Sequence, residues 1–211
     1  GDCIQPCRFK FALIEENRKD IAFPIWEDAF GTYLLSAKDL CLINRLKELK
    51  EAGVDVIKIE GRMKSLYYVA NITRVYKKAL DLMKEGKELP NTYKEELFKV
   101  SHRGYSEGFT FLDDKSTRAT FSGYQKSYRF YALLEAKEGD FFKLKVFNGF
   151  SAQKTIEIIG PDMKTFVLTP KDYTLFDQNK KEVLFVRHQE ICYIQSNKDL
   201  ATHDIIRIKI E

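Results

Sequence analysis

The sequence predicts two parts of different class: an α/β region over residues 1–112 and an all-β region over residues 120–211. Three observations carry the division. Before Pro90, apolar residues recur at helical spacing in two stretches, each ended by a glycine. After residue 120 they alternate instead, in short runs rich in Val, Ile, Phe and Tyr. Between the two, Asp113-Asp114-Lys115-Ser116-Thr117 is polar and loop-like, which places the boundary at 112–122.

Residues 8–30 read as strand pieces, with Phe9, Phe11 and Leu13 alternating, then Ile21-Ala22-Phe23-Pro24 and Trp26. Residues 31–35 form a short strand candidate. Ser36 is a suitable N-cap with Asp39 at the third helical position. The helix that follows aligns Leu40, Leu42, Ile43, Leu46 and Leu49, and Gly53 supplies a left-handed ending. Residues 54–60, VDVIKIE, are β-branched and alternating, so they read as a strand. Ser65 caps a second helix whose face is Tyr68, Ile72, Val75, Ala79 and Leu82, ending near Gly86. Strand–helix–strand–helix with short loops builds a parallel sheet with right-handed crossovers. Two such units cannot close a barrel, and the chain opens without Met, so the expectation is a piece of a longer protein. In the second part, strands are predicted at 128–135, 141–147, 154–159, 165–168, 181–186 and 205–210. Turns such as Asn148-Gly149 and Gly160-Pro161-Asp162 separate them. This spacing predicts a small antiparallel β-barrel.

Composition narrows the class. At 44% hydrophobic and 31% charged residues the chain is a folded globular protein rather than a disordered one. No apolar run is long enough to span a bilayer, so no membrane partner is expected. A net charge of +4 permits contact with nucleic acid without arguing for it. The Lys/Glu-rich composition and lack of secretory features fit the cytoplasm, where clustered cysteines act as ligands or redox groups more often than as disulfides.

Four places could carry chemistry. Cys3, Cys7 and Cys41 offer soft thiolates suited to zinc or an iron–sulfur cluster, with Cys41 expected in the first turns of a helix, where the dipole favours thiolate. Their spacing alone leaves buried thiols as the other reading. Cys192, in EICYIQ, reads as a small buried hydrophobe. Lys58 and Glu60 share one side of the predicted strand, at its carboxyl end, followed by Arg62. This group is either catalytic or a structural ion-pair cluster. His102 and Arg103 sit in a glycine-bounded loop, as solvated surface groups or as substrate contacts. No nucleophile–base constellation and no HExxH zinc motif is present, and Ser36 and Ser65 read as helix caps.

Several long strings together resemble peptidase family U32: GDCIQPCR, YLLSAKDLC, AGVDVIKIEGRMKSLYYVANITRVYKKAL and VSHRGYSEGF. The resemblance is dense over residues 1–110 and looser through SGYQKSYRF and IIGPDMKTF. It implies that residues 1–112 are the last βα units of a TIM-like barrel and that residues 120–211 are the small barrel of longer members. It implies a four-iron cluster held by four cysteines, two of them matching Cys3 and Cys41 and two lying upstream, with Cys7 a further candidate. It implies either of two activities. One is prephenate-dependent 5-hydroxylation of the tRNA wobble uridine, with Lys58, Glu60 and Arg62 as catalytic residues and His102 and Arg103 as substrate contacts. The alternative is collagenase-like proteolysis. The expected partners are tRNA and a second copy of the chain, and the fragment alone is expected to be inactive.

Overall fold

The computed structural model describes residues 38–108 and 124–210 in full, together with the backbone of strands β1 (Trp26–Asp28) and β2 (Gly31–Tyr33). The chain divides into two compact units, residues 1–45 with 102–125, and residues 46–101 with 126–211. The predicted boundary at 112–122 lies outside the described residues, as do Cys3, Cys7 and Ser36.

In the first unit β1 and β2 pair antiparallel, Trp26 opposite Tyr33. Strand β3 (Asp39–Leu40) runs parallel to β4 (Tyr105–Ser106), with Asp39 opposite Tyr105 and Leu40 opposite Ser106. A 3-10 turn follows at Ile43–Arg45. The helix expected from Ser36 onward is therefore shorter than its periodicity suggested. Asp39 N–H donates to Gly104 O and Cys41 N–H to Ser106 O, both at 2.9 Å, so ladder pairing holds the segment that a helical first turn would need. Leu40, expected on the apolar stripe, is largely exposed.

The second unit begins with helix α1 (Leu46–Glu51), and Gly53 ends it at φ +83°, as its position predicted. Residues 54–60 are not a strand. A strand needs a ladder partner, and among the described residues none pairs with this segment; Val56 is 81% exposed. Helix α2 (Leu66–Lys84) starts where Ser65 accepts a hydrogen bond from Tyr68 N–H at 3.2 Å. Its buried face is Tyr67, Asn71, Ile72, Val75 and Ala79, which adds Tyr67 and Asn71 to the expected stripe and leaves Tyr68 and Leu82 half-buried. A short helix α3 (Asn91–Lys94) runs into a 3-10 turn at Glu95–Lys99.

The rest of the unit is antiparallel β-structure: β5 (Tyr128–Glu138), β6 (Phe141–Val146), β7 (Phe150–Ser151), β8 (Ile156–Ile159), β9 (Thr165–Leu168), β10 (Tyr173–Phe176), β11 (Glu182–Val183), β12 (Phe185–Val186), β13 (Cys192–Ser196) and β14 (Ile205–Lys209). Eight of them form one sheet in the order β11-β10-β13-β6-β5-β14-β8-β9, and β12 pairs with β7. The edge strands β11 and β9 do not pair with each other, so the sheet curls as a half-barrel rather than closing. Its concave side holds the apolar core, including Leu134, Leu144, Ile156, Ile158, Leu175, Ile194 and Ile206, with Phe150 and Val186 of the β7–β12 pair. The run predicted at 181–186 splits at the exposed Leu184 into β11 and β12, which serve different partners.

Strand β14 is buried on both faces. Ile206 and Ile208 point into the core, while Arg207 lies on the other face, fully buried against α2 and the turn after α3. A bulge makes this fit. Ile206 faces Ala132 but Arg207 faces Phe130, so Tyr131 is an extra residue on β5. Phe130 lies 6.1 Å from Tyr67 of α2 between ring centroids, whereas Tyr131 packs edge-on against Phe150 at 5.8 Å.

Candidate functional site

In the first unit, two of the distinctive sequence strings meet. SAKDLC provides β3 and HRGYSEGF provides β4. The parallel pairing is clamped by charge. Arg103 donates from Nε and Nη2 to Asp39 Oδ1 at 3.1 and 2.9 Å, and its backbone N–H reaches Asp39 Oδ2 at 3.3 Å. Further along, Arg45 Nε donates to Glu107 Oε2 at 2.8 Å. Cys41 lies between these two pairs, half-buried, with its backbone fixed to Ser106. It thus follows a strand end and precedes a 3-10 turn, rather than sitting in the first turns of a helix, because the ladder to β4 takes the preceding residues.

His102 is not a solvated loop residue. It is 2% exposed, its Nδ1 accepts the Gly104 N–H at 2.9 Å, and its ring stacks on Tyr105 at 4.6 Å. Its backbone exchanges two hydrogen bonds with Gln125. Gly104, at φ +79°, makes the turn that lets this N–H fold back on the imidazole. His102 therefore shapes the loop, and Arg103 binds Asp39 and lies beside the Tyr124 ring at 5.9 Å.

Chemically, the junction holds one soft donor, Cys41, with its backbone hydrogen-bonded to β4 and an arginine–carboxylate pair at Asp39 before it and at Arg45 after it in sequence. A cysteine sulfur fits a cluster ligand by chemistry, since sulfur donors suit iron–sulfur sites. Among the described residues no group of three or more His, Cys, Asp or Glu gathers to hold a metal ion, so the remaining donors would come from elsewhere. Cys192 is not one of them. It is 2% exposed, and burial, with the Glu190 charge adding, pushes its thiol up to about 11.

Lys58, Glu60 and Arg62 are exposed. Glu60 Oε1 accepts the Arg62 backbone N–H at 2.8 Å, closing the turn that leads to the Ser65 cap. Among the described residues no carboxylate pairs with Lys58 or the Arg62 guanidinium.

A cluster of strongly perturbed groups lies in the second unit, around Arg207. Its Nη1 and Nη2 reach Glu96 at 2.7 and 2.9 Å, Nε reaches Glu157 at 2.6 Å, and Nη1 also donates to Tyr67 Oη at 3.1 Å. Arg74 adds a bond to Glu96 at 2.5 Å and Lys99 another at 2.7 Å. Burial works to raise the Glu96 pKa, but the hydrogen bond and charge of Arg207, with Lys99 and Arg74, bring it down to about 2. Burial pushes the Tyr67 hydroxyl up to about 12 against the pull of Arg207. Sequence reading missed this cluster. The available signal was an arginine inside the apolar run IIRIK. It also missed Asp39, Arg45 and Glu107, whose signal was opposite charge in two strings already singled out.

Comparison with known proteins fixes the family. Residues 1–120 match the model described as peptidase family U32, and the chain belongs to that family. It is 44% identical over 115 residues to an uncharacterized protease of Methanocaldococcus jannaschii, covering 54% of this chain and 27% of that one. It is 34% identical over 161 residues to tRNA hydroxylation protein P of Escherichia coli, covering 72% and 34% respectively. It is 29% identical over 215 residues to tRNA hydroxylation protein P1 of Bacillus subtilis, covering 98% and 50%. The chain thus spans between 27% and 50% of the length of these relatives.

Proposed function

We propose that this chain is the C-terminal part of an enzyme that hydroxylates tRNA, at carbon 5 of the wobble uridine, with prephenate as co-substrate. The observation that carries the reading is the likeness to proteins named for tRNA hydroxylation, one of which aligns with 98% of this chain. In this reading the parallel β3–β4 pair belongs to the last part of a TIM-like barrel completed by residues outside the chain. Cys41 and Cys3 would ligate a four-iron cluster, with Cys7 as the further candidate, and such a cluster would supply electron transfer or a Lewis-acidic iron. The chain's own contribution at Cys41 is positional: the Asp39–Arg103 and Arg45–Glu107 pairs hold the backbone on either side of the thiolate. Lys58 and Arg62 offer two cations to the carboxylates of prephenate, with Glu60 ordering the turn between them. His102 orders the loop that carries Arg103. The protein works in the cytoplasm, where tRNA is, as a homodimer.

The test is nucleoside mass spectrometry of tRNA from cells lacking the protein. Full-length wild type is expected to restore uridine carrying one added oxygen, and Cys41→Ala to leave it unmodified. Unmodified uridine with wild type present defeats the reading. The second reading, proteolysis, rests on the 44% identical relative named a protease. It predicts cleavage of gelatin by protein freed of contaminating proteases.

A further inference from the structure

A cleft of about 870 Å³ runs along one flank of α2 in the second unit. Its floor is aliphatic. Leu66 and Val69 are 46% and 40% exposed on the helix, and Ile159 and Ile205 close the base from β8 and β14. Its lining is cationic, with Lys64, Lys77 and Lys78 against a single carboxylate, Asp162; Lys64 also lies over the Tyr68 ring at 4.9 Å. Arg74, the other cation of the lining, is used internally: it binds Asn71, Glu96 and the carbonyls of Gly160 and Lys164. Lys77 pairs with Asp81, whereas no described residue pairs with Lys78. The cations stand at the two ends of the helix flank, roughly 20 Å apart at the rise of an α-helix.

The far wall carries the second observation. His203 stands exposed in the cleft with its backbone at φ +72°, a left-handed conformation that non-glycine residues seldom adopt. Its ring makes no hydrogen bond among the described residues. The turn beneath it is fixed: buried Asp204 takes Ala201 N–H at 2.9 Å and Lys164 Nζ at 3.0 Å through Oδ2, and His203 N–H donates to Leu134 O at 2.7 Å. A left-handed backbone is thus held in a fixed turn that places an imidazole in the lining of a largely aliphatic cleft.

A single inorganic anion cannot bridge lysines so far apart, and a purely apolar ligand would not use them. An elongated polyanion with flat apolar faces between its charges uses both. We infer that the cleft is a track for a single-stranded stretch of RNA, about four nucleotides long, with phosphates at the lysines and a base against His203 and the aliphatic floor. The inference rests on the tRNA reading above and names the surface that would meet the substrate.

The test is fluorescence anisotropy of labelled, unmodified tRNA across a salt series, with the full-length protein. The variants are Lys64→Glu/Lys78→Glu, Val69→Asp and His203→Ala, with Lys181→Glu as a control outside the cleft. Circular dichroism confirms that each is folded. The double charge reversal is expected to weaken binding at least tenfold and to flatten the salt slope by about 0.7 for each phosphate no longer neutralised. His203→Ala is expected to weaken binding about fivefold with the slope unchanged, since stacking is not salt-dependent. Wild-type binding that the cleft variants leave intact overturns the track and spares the tRNA reading. Absence of salt-dependent tRNA binding by wild type overturns both. Unchanged RNA binding, with loss of a bound acidic helical peptide in Val69→Asp, would reassign the cleft to a protein partner.

Discussion

Two regions of this chain use arginine–carboxylate pairing to opposite ends. Around Arg207, guanidinium and carboxylates are almost wholly removed from water: Arg207 is 0% exposed and Glu96 4%. Around Cys41, the Arg103 and Asp39 side chains retain 25% and 10% of their exposure and Arg45 36%. The buried network binds a helical layer to the outer face of a strand. It is a structural joint, because every charge has its partner and no group is left to act on a ligand. The half-exposed pairs hold a short parallel ladder in register beside the half-buried Cys41. A strongly shifted ionisation is thus a poor guide to chemistry here: the shifts of Arg207, Glu96 and Tyr67 mark a structural joint.

The comparison breaks most sharply at Arg207. Arg207→Ala would strand Glu96 and Glu157 without their main counter-charge, and is expected to cost about 3–5 kcal/mol of unfolding free energy in urea titration. A loss near that of an exposed pair would show the cluster to be hydrated. Acid sharpens the same point. Glu96 titrates at about 2 in the folded chain against 4.5 as its ordinary value. A depressed carboxylate stabilises fully above its unfolded pKa, so this contribution, about 3 kcal/mol, is expected to fade as pH falls from 4.5 toward 2. Glu96→Gln is expected to be less stable at neutral pH and to lack that decline, as urea midpoints across the pH series would show. The smallest change in stability is expected at the other region. Arg103→Lys keeps the charge but loses the forked contact to Asp39, and should alter unfolding by less than about 1 kcal/mol. If the pair positions Cys41 for a cluster, iron and sulfide content of anaerobic full-length protein should nevertheless fall about tenfold. Wild-type iron content in that variant would reduce the pair to a surface ornament of the ladder.

What could be read in advance follows from where information lies along the chain. Helix α2 was legible because its cap, period and end are all local, and Ser65 and Gly86 bracket it in sequence. The strands β5, β6 and β9 were legible because their alternation faces one packed core, and β14 because its run is β-branched and apolar. Residues 54–60 have the composition of a strand, yet pairing is not local, and no described partner meets them. Asp39 looked like part of a capping box because the competing partner, Gly104, lies far along the sequence. Arg207 was invisible for the same reason: nothing in IIRIK announces that Glu96 and Glu157 will converge on it. Of the candidate site, Cys41, His102 and Arg103 were singled out by residue type, but His102 and Arg103 turned out to hold the loop and the ladder together.

The single extra residue at Tyr131 has a consequence for how such chains can change over time. It lets one position of the sheet supply two aromatic rings, Phe130 to the helical cover and Tyr131 to the interior. A gain or loss of one residue at that point would therefore not be a loop variation. It would swap which ring meets which layer and disturb the seat of Arg207 along with the core, so an alignment gap there would mark a change in how the two layers are joined.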